Sequence, residues 1–328
     1  MFDLIKQLTG VYGPSGREAS VADAIEALLA GKGYSIRRDA MGSLICERKG
    51  TAKNPKRVML AAHMDQIGFI VVAAEKEGFL RVMNVGGIHP DENSLRHVRF
   101  ANGVQGVIAQ QPLKDGEKPA MRYLYIDVGA KDATEALRMV QLGDMAVYAE
   151  DCYRAGEHRL VSPALDDRVA CAVLVSALCE LPACADTVIG VFTTQEEVGC
   201  RGAKTAAYAV EPDVGIAIDV TGTCDAPEEK FPAVRLGEGA AVQIMDRGSI
   251  SAPVVVEGLL AAAKRAKLPV QREILPYGGT DAGAIQVARG GVPVGTISIP
   301  CRYIHSPCEM VDLRDVEAAR ALLLAYLR

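Results

Sequence analysis

Short apolar runs alternate with helical patterns over the first and last parts of the chain. Apolar residues recur at helical spacing in residues 20–33, which end on glycines, and again in residues 164–181. Between such helical patterns stand short apolar runs that are typical of buried strands, namely RVMLAAH, TVIGVFTT, DVGIAIDV and VPVGTISIP. Because strands that alternate with helices form sheets covered on both faces, the pattern predicts an α/β fold.

The pattern changes between about residue 68 and residue 158. Short β-type runs follow one another there, separated by Gly, Asn and Asp, and only DATEALRMVQLG has helical spacing. Short strands at this spacing indicate a small all-β unit. The chain has 328 residues, which exceeds the size at which a single core keeps growing. We therefore predict a discontinuous α/β domain of residues 1–67 and 159–328, with an inserted β domain of residues 68–158.

Composition excludes several kinds of partner. The net charge is −5 with scattered acidic residues, so we expect neither nucleic acid nor a membrane surface as a partner. The N-terminal residues do not resemble a secretory signal, and no apolar stretch is long enough to span a bilayer. The nine cysteines include no C-x-x-C pair, which favours a reduced, cytoplasmic protein. A thiolate zinc site at Cys301 and Cys308 is the alternative.

Chemically active side chains follow the carboxyl ends of the strand-like runs. In open α/β sheets, ligands bind outside these ends, so we expect the side chains to meet at one edge of the sheet. They are His63 and Asp65 after RVMLAA, Glu196 and Glu197 after TVIGVFTT, Asp219 near the end of DVGIAIDV, and His305 after VPVGTISIP, joined by Asp166 and Asp167 at the start of a helix.

Two histidines with three carboxylates form a mixed nitrogen and oxygen ligand set. Such a set suits zinc, cobalt or manganese better than calcium. One ion requires only three or four of these groups, whereas five ligands with one shared carboxylate suit two ions about 3.5–4 Å apart. Three carboxylates and a bridging hydroxide bring a charge of about +4 near neutrality, which makes burial tolerable. We predict two divalent metal ions per chain, with Zn²⁺ as the first choice and Co²⁺ or Mn²⁺ as alternatives.

Six segments of the chain carry a family resemblance. They are AAHMDQIGF, SPALDDRVA, TTQEEVGCRGA, AIDVTGT, YGGTDAGAI and IPCRYIHSP. Together, and in this order, they resemble the tetrahedral, dodecamer-forming family of dinuclear metalloaminopeptidases, which includes glutamyl and deblocking aminopeptidases and some members labelled cellulase or endoglucanase. The resemblance covers nearly the whole chain. It implies a zinc-peptidase-like mixed sheet flanked by helices, with an inserted PDZ-like β domain used for dimerisation and assembly.

The resemblance also implies a role for each residue at the sheet edge. The metal ligands it implies are His63, Asp166, Glu197, Asp219 and His305. Asp166 would bridge the two ions, with Asp167 as the alternative bridge, and the peptide bond between these two aspartates would be cis. Glu196 would be the general base, which takes a proton from water and later donates it to the leaving amine. Asp65 would orient the ring of His63.

The substrates and partners follow from the same resemblance. We expect peptides with a free N-terminus as substrates, and further copies of the same chain as partners, arranged as a dodecamer built from dimers. One alternative is a metal-dependent deacylase of N-acyl amino acids on the same scaffold. Another is a metal-free glycosidase, which requires two free carboxyls flanking the scissile bond. The third is a metal-bearing peptide-binding protein without turnover.

The remaining candidate residues have simpler interpretations. His89 and His97 in the β insertion are expected to be solvated or structural, and His158 to lie in a linker. Asp281 has two interpretations, as the N-cap of a helix or, by the resemblance, as part of a loop that forms a wall of the substrate pocket.

Overall fold

The computed structural model describes residues 1–227 and 233–328. The elements before the insertion are α1 (Phe2–Thr9), α2 (Ala19–Leu29), β1 (Ser35–Arg38), β2 (Leu44–Arg48) and β3 (Arg57–His63). The middle of the chain contains β4 (Gly68–Ala74), β5 (Leu80–Val85), β6 (Arg96–Phe100), β7 (Gln105–Gln110), β8 (Leu124–Asp127), α3 (Ala133–Met139) and β9 (Met145–Tyr148). The rest comprises β10 (Tyr153–Ala155), β11 (Arg159–Ser162), α4 (Leu165–Glu180), β12 (Thr187–Thr193), α5 (Arg201–Val210), β13 (Val214–Thr221), β14 (Ala240–Met245), α6 (Pro253–Ala266), β15 (Val270–Ile274), α7 (Asp281–Gln286), β16 (Val294–Arg302), β17 (Glu309–Asp312) and α8 (Leu313–Leu327).

A large mixed sheet forms the centre of the fold. Its strand order is β1-β2-β12-β3-β13-β16-β17-β11-β10, and β14 pairs with β16 and carries β15 on its other side. The four strands β12, β3, β13 and β16 are parallel, so their carboxyl ends lie at the same edge. The predicted α/β fold is therefore confirmed as a mixed sheet flanked by helices.

Helices cover both faces of this sheet, and strand β3 illustrates why its sequence is apolar throughout. Successive side chains of a strand point to opposite faces. Val58, Leu60 and Ala62 pack into the core that contains α1, α2, α4, α6 and α8. Met59 and Ala61 pack into the second core, beneath α5 and α7. Because both faces of β3 are buried, its sequence does not alternate between polar and apolar residues.

Strands β4 to β9 form a second, smaller unit. They close into a barrel in the order β4-β5-β8-β7-β6-β9, with its own apolar core around Phe69, Val82 and Ile126. Strand β10 pairs with β11 in the large sheet. The domain boundaries at residues 67/68 and 158/159 and the PDZ-like character of the insertion stay predictions.

The pattern of apolar residues did not predict every strand. Strand β15 has three consecutive polar residues between Val270 and Ile274, and β17 has only four residues, so neither forms a recognisable apolar run. The longest helix, α4, has 16 residues, and among residues 1–227 and 233–328 no helix is long and apolar enough to cross a bilayer.

Candidate metal centre

The parallel strands bring the predicted site residues to one edge of the sheet. His63 is the last residue of β3 and pairs with Thr193 of β12. Asp219 lies near the end of β13, where it pairs with Ser298 of β16. His305 follows β16 by three residues. Because each side chain stands at or just beyond a strand end, the register of the sheet itself sets their spacing.

His63, Asp166 and Asp219 form a cluster that we call the first half-site. His63 Nε2 lies 2.9 Å from Asp166 Oδ1 and 3.9 Å from Asp219 Oδ1. On the other side of the ring, Nδ1 lies 3.1 Å from the backbone oxygen of Asp65 and 3.4 Å from its carboxylate. Contacts of this kind fix the orientation of a histidine whose other nitrogen binds a metal.

Asp166, Glu197 and His305 form the second half-site. His305 Nε2 lies 3.3 Å from Asp166 Oδ2 and 3.2 Å from Glu197 Oε2. The two oxygens of Asp166 therefore face two different histidines, which is the arrangement that a shared ligand requires.

Asp167 has different surroundings from Asp166. It lies within 4.8 Å of His63 and Asp219, but its Oδ2 accepts a hydrogen bond from the backbone nitrogen of His63 at 3.2 Å. The peptide bond between Asp166 and Asp167 is cis. Since only Asp166 contacts both histidines, the geometry favours Asp166 over Asp167 as the shared residue.

The two adjacent glutamates point to different half-sites. Glu196 Oε2 lies 4.0 Å from His63 Nε2, whereas Glu197 Oε2 faces His305. Their backbone nitrogens both donate to the carboxylate of Asp65, at 2.9 Å and 3.2 Å. Asp65 thus holds the glutamate loop as well as contacting the ring of His63. The Cys200 thiol donates to Glu196 Oε1 at 3.1 Å, which leaves Oε2 facing the cluster.

Burial and crowding shift the pKa values of these groups. Burial raises the pKa of Glu196 to about 8 and also raises the pKa of Glu197 and Asp219. Burial opposes protonation of His305, but the nearby carboxylates of Glu197 and Asp166 outweigh it and raise the pKa of the imidazole to about 12. The raised pKa values show that the negative charges of Glu196, Glu197 and Asp219 are not balanced by the positive charge of the surrounding protein.

The donor set fits divalent metal ions. Two groups of ligand atoms lie within 4.8 Å of one another, those of His63, Asp166 and Glu197 and those of His63, Asp167 and Asp219. Glu197 Oε1 is buried and has no hydrogen-bond partner in the described part of the chain. Unpaired buried carboxylate oxygens are costly unless a cation accompanies them.

Sequence reasoning missed Glu309, which holds both half-sites together. Its Oε2 accepts from the backbone nitrogen of Asp166 at 2.9 Å, and its Oε1 accepts from that of His305 at 2.8 Å. The side chain is buried in the four-residue strand β17. No sequence signal marks it, because an isolated acidic residue in a short strand is ordinary.

Asp281 also differs from one expectation. The prediction that it caps α7 is wrong, because Thr280 is the N-cap and its side chain accepts from the backbone nitrogen of Ala282 at 3.2 Å. Asp281 is instead buried, and its carboxylate accepts from the hydroxyl of Thr193 at 2.5 Å. It lies within 4.8 Å of Glu196 and Cys200.

An open cavity of about 1050 Å³ leads to both half-sites. The glycine-rich loop at residues 277–280 forms part of its wall, as the resemblance implied. His89 is exposed and also lines this cavity, while His97 bonds to Gln105 at 3.0 Å. All nine cysteines are free. In residues 1–227 and 233–328, neither Cys301 nor Cys308 belongs to a group that could hold a metal.

The site has the form found in metal-dependent hydrolases, with clusters of histidine and carboxylate side chains at one edge of an α/β sheet. Comparison with known proteins identifies the family. The family model described as M42 glutamyl aminopeptidase matches residues 42–322. The lysyl aminopeptidase of Pyrococcus furiosus is 36% identical over 99% of this chain and 96% of its own length.

Two solved structures are closely similar to this fold. An aminopeptidase from Desulfurococcus kamchatkensis gives a TM-score of 0.95 at 40% identity, over 99% of this chain and 94% of that one. The Pyrococcus horikoshii TET1 peptidase, described as assembling into a tetrahedron or a large octahedral shell, gives 0.90 at 30% identity, over 99% and 98%.

The chain belongs to the M42 glutamyl aminopeptidase family. The predicted family and the prediction of an enzyme that hydrolyses peptide bonds are thereby confirmed.

Proposed function

We propose that this aminopeptidase uses two divalent metal ions, one at each half-site. The observation that carries the proposal is the position of Asp166, whose two carboxylate oxygens face His63 and His305 separately. His63 and Asp219 would complete the first site, and Glu197 and His305 the second. When bound, such ions lower the pKa of water and polarise the peptide carbonyl.

Glu196 is the general base in this proposal. Its Oε2 faces the first half-site and is not a proposed ligand, so it is free to accept a proton from water and to return it. Oε2 would take the proton of the attacking water and then donate it to the leaving amine. Asp65 holds the backbone of Glu196 in place while the proton moves.

The substrate is a peptide with a free N-terminus. The cavity opens to solvent on one side and ends at buried carboxylates on the other. With both ions bound, a free α-amine would be held by one of the ions or by the carboxylate of Glu196, whereas an acylated nitrogen has neither an available lone pair nor a charge and gains nothing there. This difference separates an aminopeptidase from a deacylase on the same scaffold.

Substrate pairs and metal analysis test the function. Aminoacyl-p-nitroanilides and N-acetyl amino acids are assayed with the metal-free protein reloaded with Zn²⁺, Co²⁺ or Mn²⁺, the first by release of p-nitroaniline and the second by release of a free amino group. We expect hydrolysis of the free-amine substrates only, loss on chelation, and two metal ions per chain in the active form by elemental analysis. Hydrolysis of the N-acetyl amino acids in preference to the p-nitroanilides would support the deacylase, and one metal ion per active chain would refute the dinuclear proposal.

We further propose a homo-oligomer, with residues 68–158 as the assembly domain and a dodecamer built from dimers as the complete particle. The support is the similarity to the TET1 peptidase, which assembles into closed shells, since closed symmetric assemblies are the usual outcome for identical subunits. Light scattering should show a dimer or a larger particle. A fully active monomer at high protein concentration would contradict this proposal.

A further inference from the structure

Two glycines of the barrel pack closely against Glu197 and His305 of the second half-site. Gly86 and Gly87 follow strand β5, and Asn84 pins this turn by donating to the backbone oxygen of Gly86 at 2.7 Å. A Cβ atom at Gly87 would lie 2.7 Å from His305 Nδ1 and 2.9 Å from its Cε1. A Cβ atom at Gly86 would lie 2.7 Å from Ile67 Cγ2 and 3.1 Å from Glu197 Oε2. There is thus no room for a side chain at either position.

The rings of His305 and His63 are held in different ways. Nδ1 of His63 lies 3.1 Å from the backbone oxygen of Asp65, a polar partner that fixes the ring. In the described part of the chain, Nδ1 of His305 makes no comparable hydrogen bond, and this side of the ring faces Gly87. Close backbone packing takes the place of a hydrogen-bonding partner.

We propose that Gly86 and Gly87 are positioning residues of the second half-site, through which the barrel sets the orientation of Glu197 and His305. The inference rests on the proposed dinuclear function. It adds that one of the two metal sites depends on the barrel, whereas His63, Asp166 and Asp219 of the other are all supplied by elements of the large sheet and α4.

Gly87→Ala is the sharper test of the two glycines. Gly86 has φ +79°, where any side chain is strained, but Gly87 is not among the positive-φ glycines, so alanine there meets only the contact with His305. Gly290→Ala is the matched control, because Gly290 is also outside the positive-φ group and a Cβ there would have no atom within 4 Å.

Zn²⁺ titration of the metal-free proteins by calorimetry gives a readout independent of turnover, with far-UV circular dichroism to monitor folding. Wild type and Gly290→Ala should bind two ions alike. In Gly87→Ala the added methyl group should displace the ring of His305, so one of the two affinities should fall about 10–100-fold, the loss typical when the orientation of a ligand is disturbed, and the other should be unchanged.

The outcomes separate this inference from the proposed function. If the wild type binds one ion only, the dinuclear proposal fails. If the wild type binds two ions and Gly87→Ala binds both with wild-type affinity, the positioning role is wrong while the proposed function stands.

If Gly87→Ala does not fold, the same change is made in a His305→Ala background, where the ring is gone. Folding there would support the contact with His305 as the cause, and failure to fold in both backgrounds would overturn the inference.

Discussion

Replacing each of the two adjacent glutamates by glutamine should produce two different defects. Glutamine keeps the shape of the side chain but can neither accept a proton nor contribute a negative charge. Glu196 Oε2 lies 4.0 Å from His63 Nε2 and is not a proposed ligand, whereas Glu197 Oε2 lies 3.2 Å from His305 Nε2 within the second half-site. The same chemical change therefore removes a base at one position and a ligand at the next.

For Glu196→Gln we expect a large loss of kcat with unchanged metal content. General-base catalysis contributes about 10²–10⁴-fold, which corresponds to about 2.7–5.4 kcal/mol of transition-state stabilisation. The side chain is only 13% exposed and lies among other carboxylates, so removing its charge should not lower the free energy of unfolding of the metal-free protein. Both metal ions should stay bound.

For Glu197→Gln we expect occupancy of one metal site to fall, because a ligand charge that offsets the cations is lost. Excess metal should restore part of the activity. The assay is kcat together with elemental analysis of both variants, with the exposed Glu77→Gln as a control that should change stability by no more than about 0.5 kcal/mol. If Glu196→Gln lost metal and Glu197→Gln kept it, the two roles would be reversed. Full activity in both variants would refute the site assignment.

Two further predictions concern buried residues outside the metal centre. Glu273 is fully buried beside the hydroxyl of Thr221, and burial raises its pKa from 4.5 to about 7. The stability that its neutral form contributes is complete below about pH 4.5 and lost as the pH rises through about 7. The free energy of unfolding of Glu273→Gln, measured relative to wild type by urea denaturation, should therefore rise by about 2–3 kcal/mol from pH 5 to pH 8. A difference that does not change with pH would refute burial of this carboxyl as the cause. The fully buried Arg168 donates to four backbone oxygens, including that of Met64 at 2.6 Å. Arg168→Met should lower the free energy of unfolding by about 3–5 kcal/mol, since the carbonyls lose their partner, and a loss under about 1 kcal/mol would contradict this role.

The sequence alone determined the fold class and the residue types at the sheet edge. Apolar runs such as RVMLAAH are typical of strands with both faces covered, and parallel strands end at one edge. The side chains that follow each run, among them His63 and His305, could therefore be expected to meet without knowledge of the packing. The family resemblance supplied their roles, of which Glu196 as base and Glu197 as ligand stay predictions.

Only the tertiary structure decided how these residues are held. Glu309 bonds to the backbone of Asp166, which lies 143 positions away in the chain, and no local pattern encodes such a contact. Thr280, not Asp281, caps α7 because of side-chain directions set by backbone dihedral angles. Asp166 as the shared ligand stays a prediction, supported by its contacts with both histidines. The contact of Gly87 with His305 likewise exists only because the barrel docks on the sheet edge, and packing between distant segments is what single-sequence periodicity leaves undetermined.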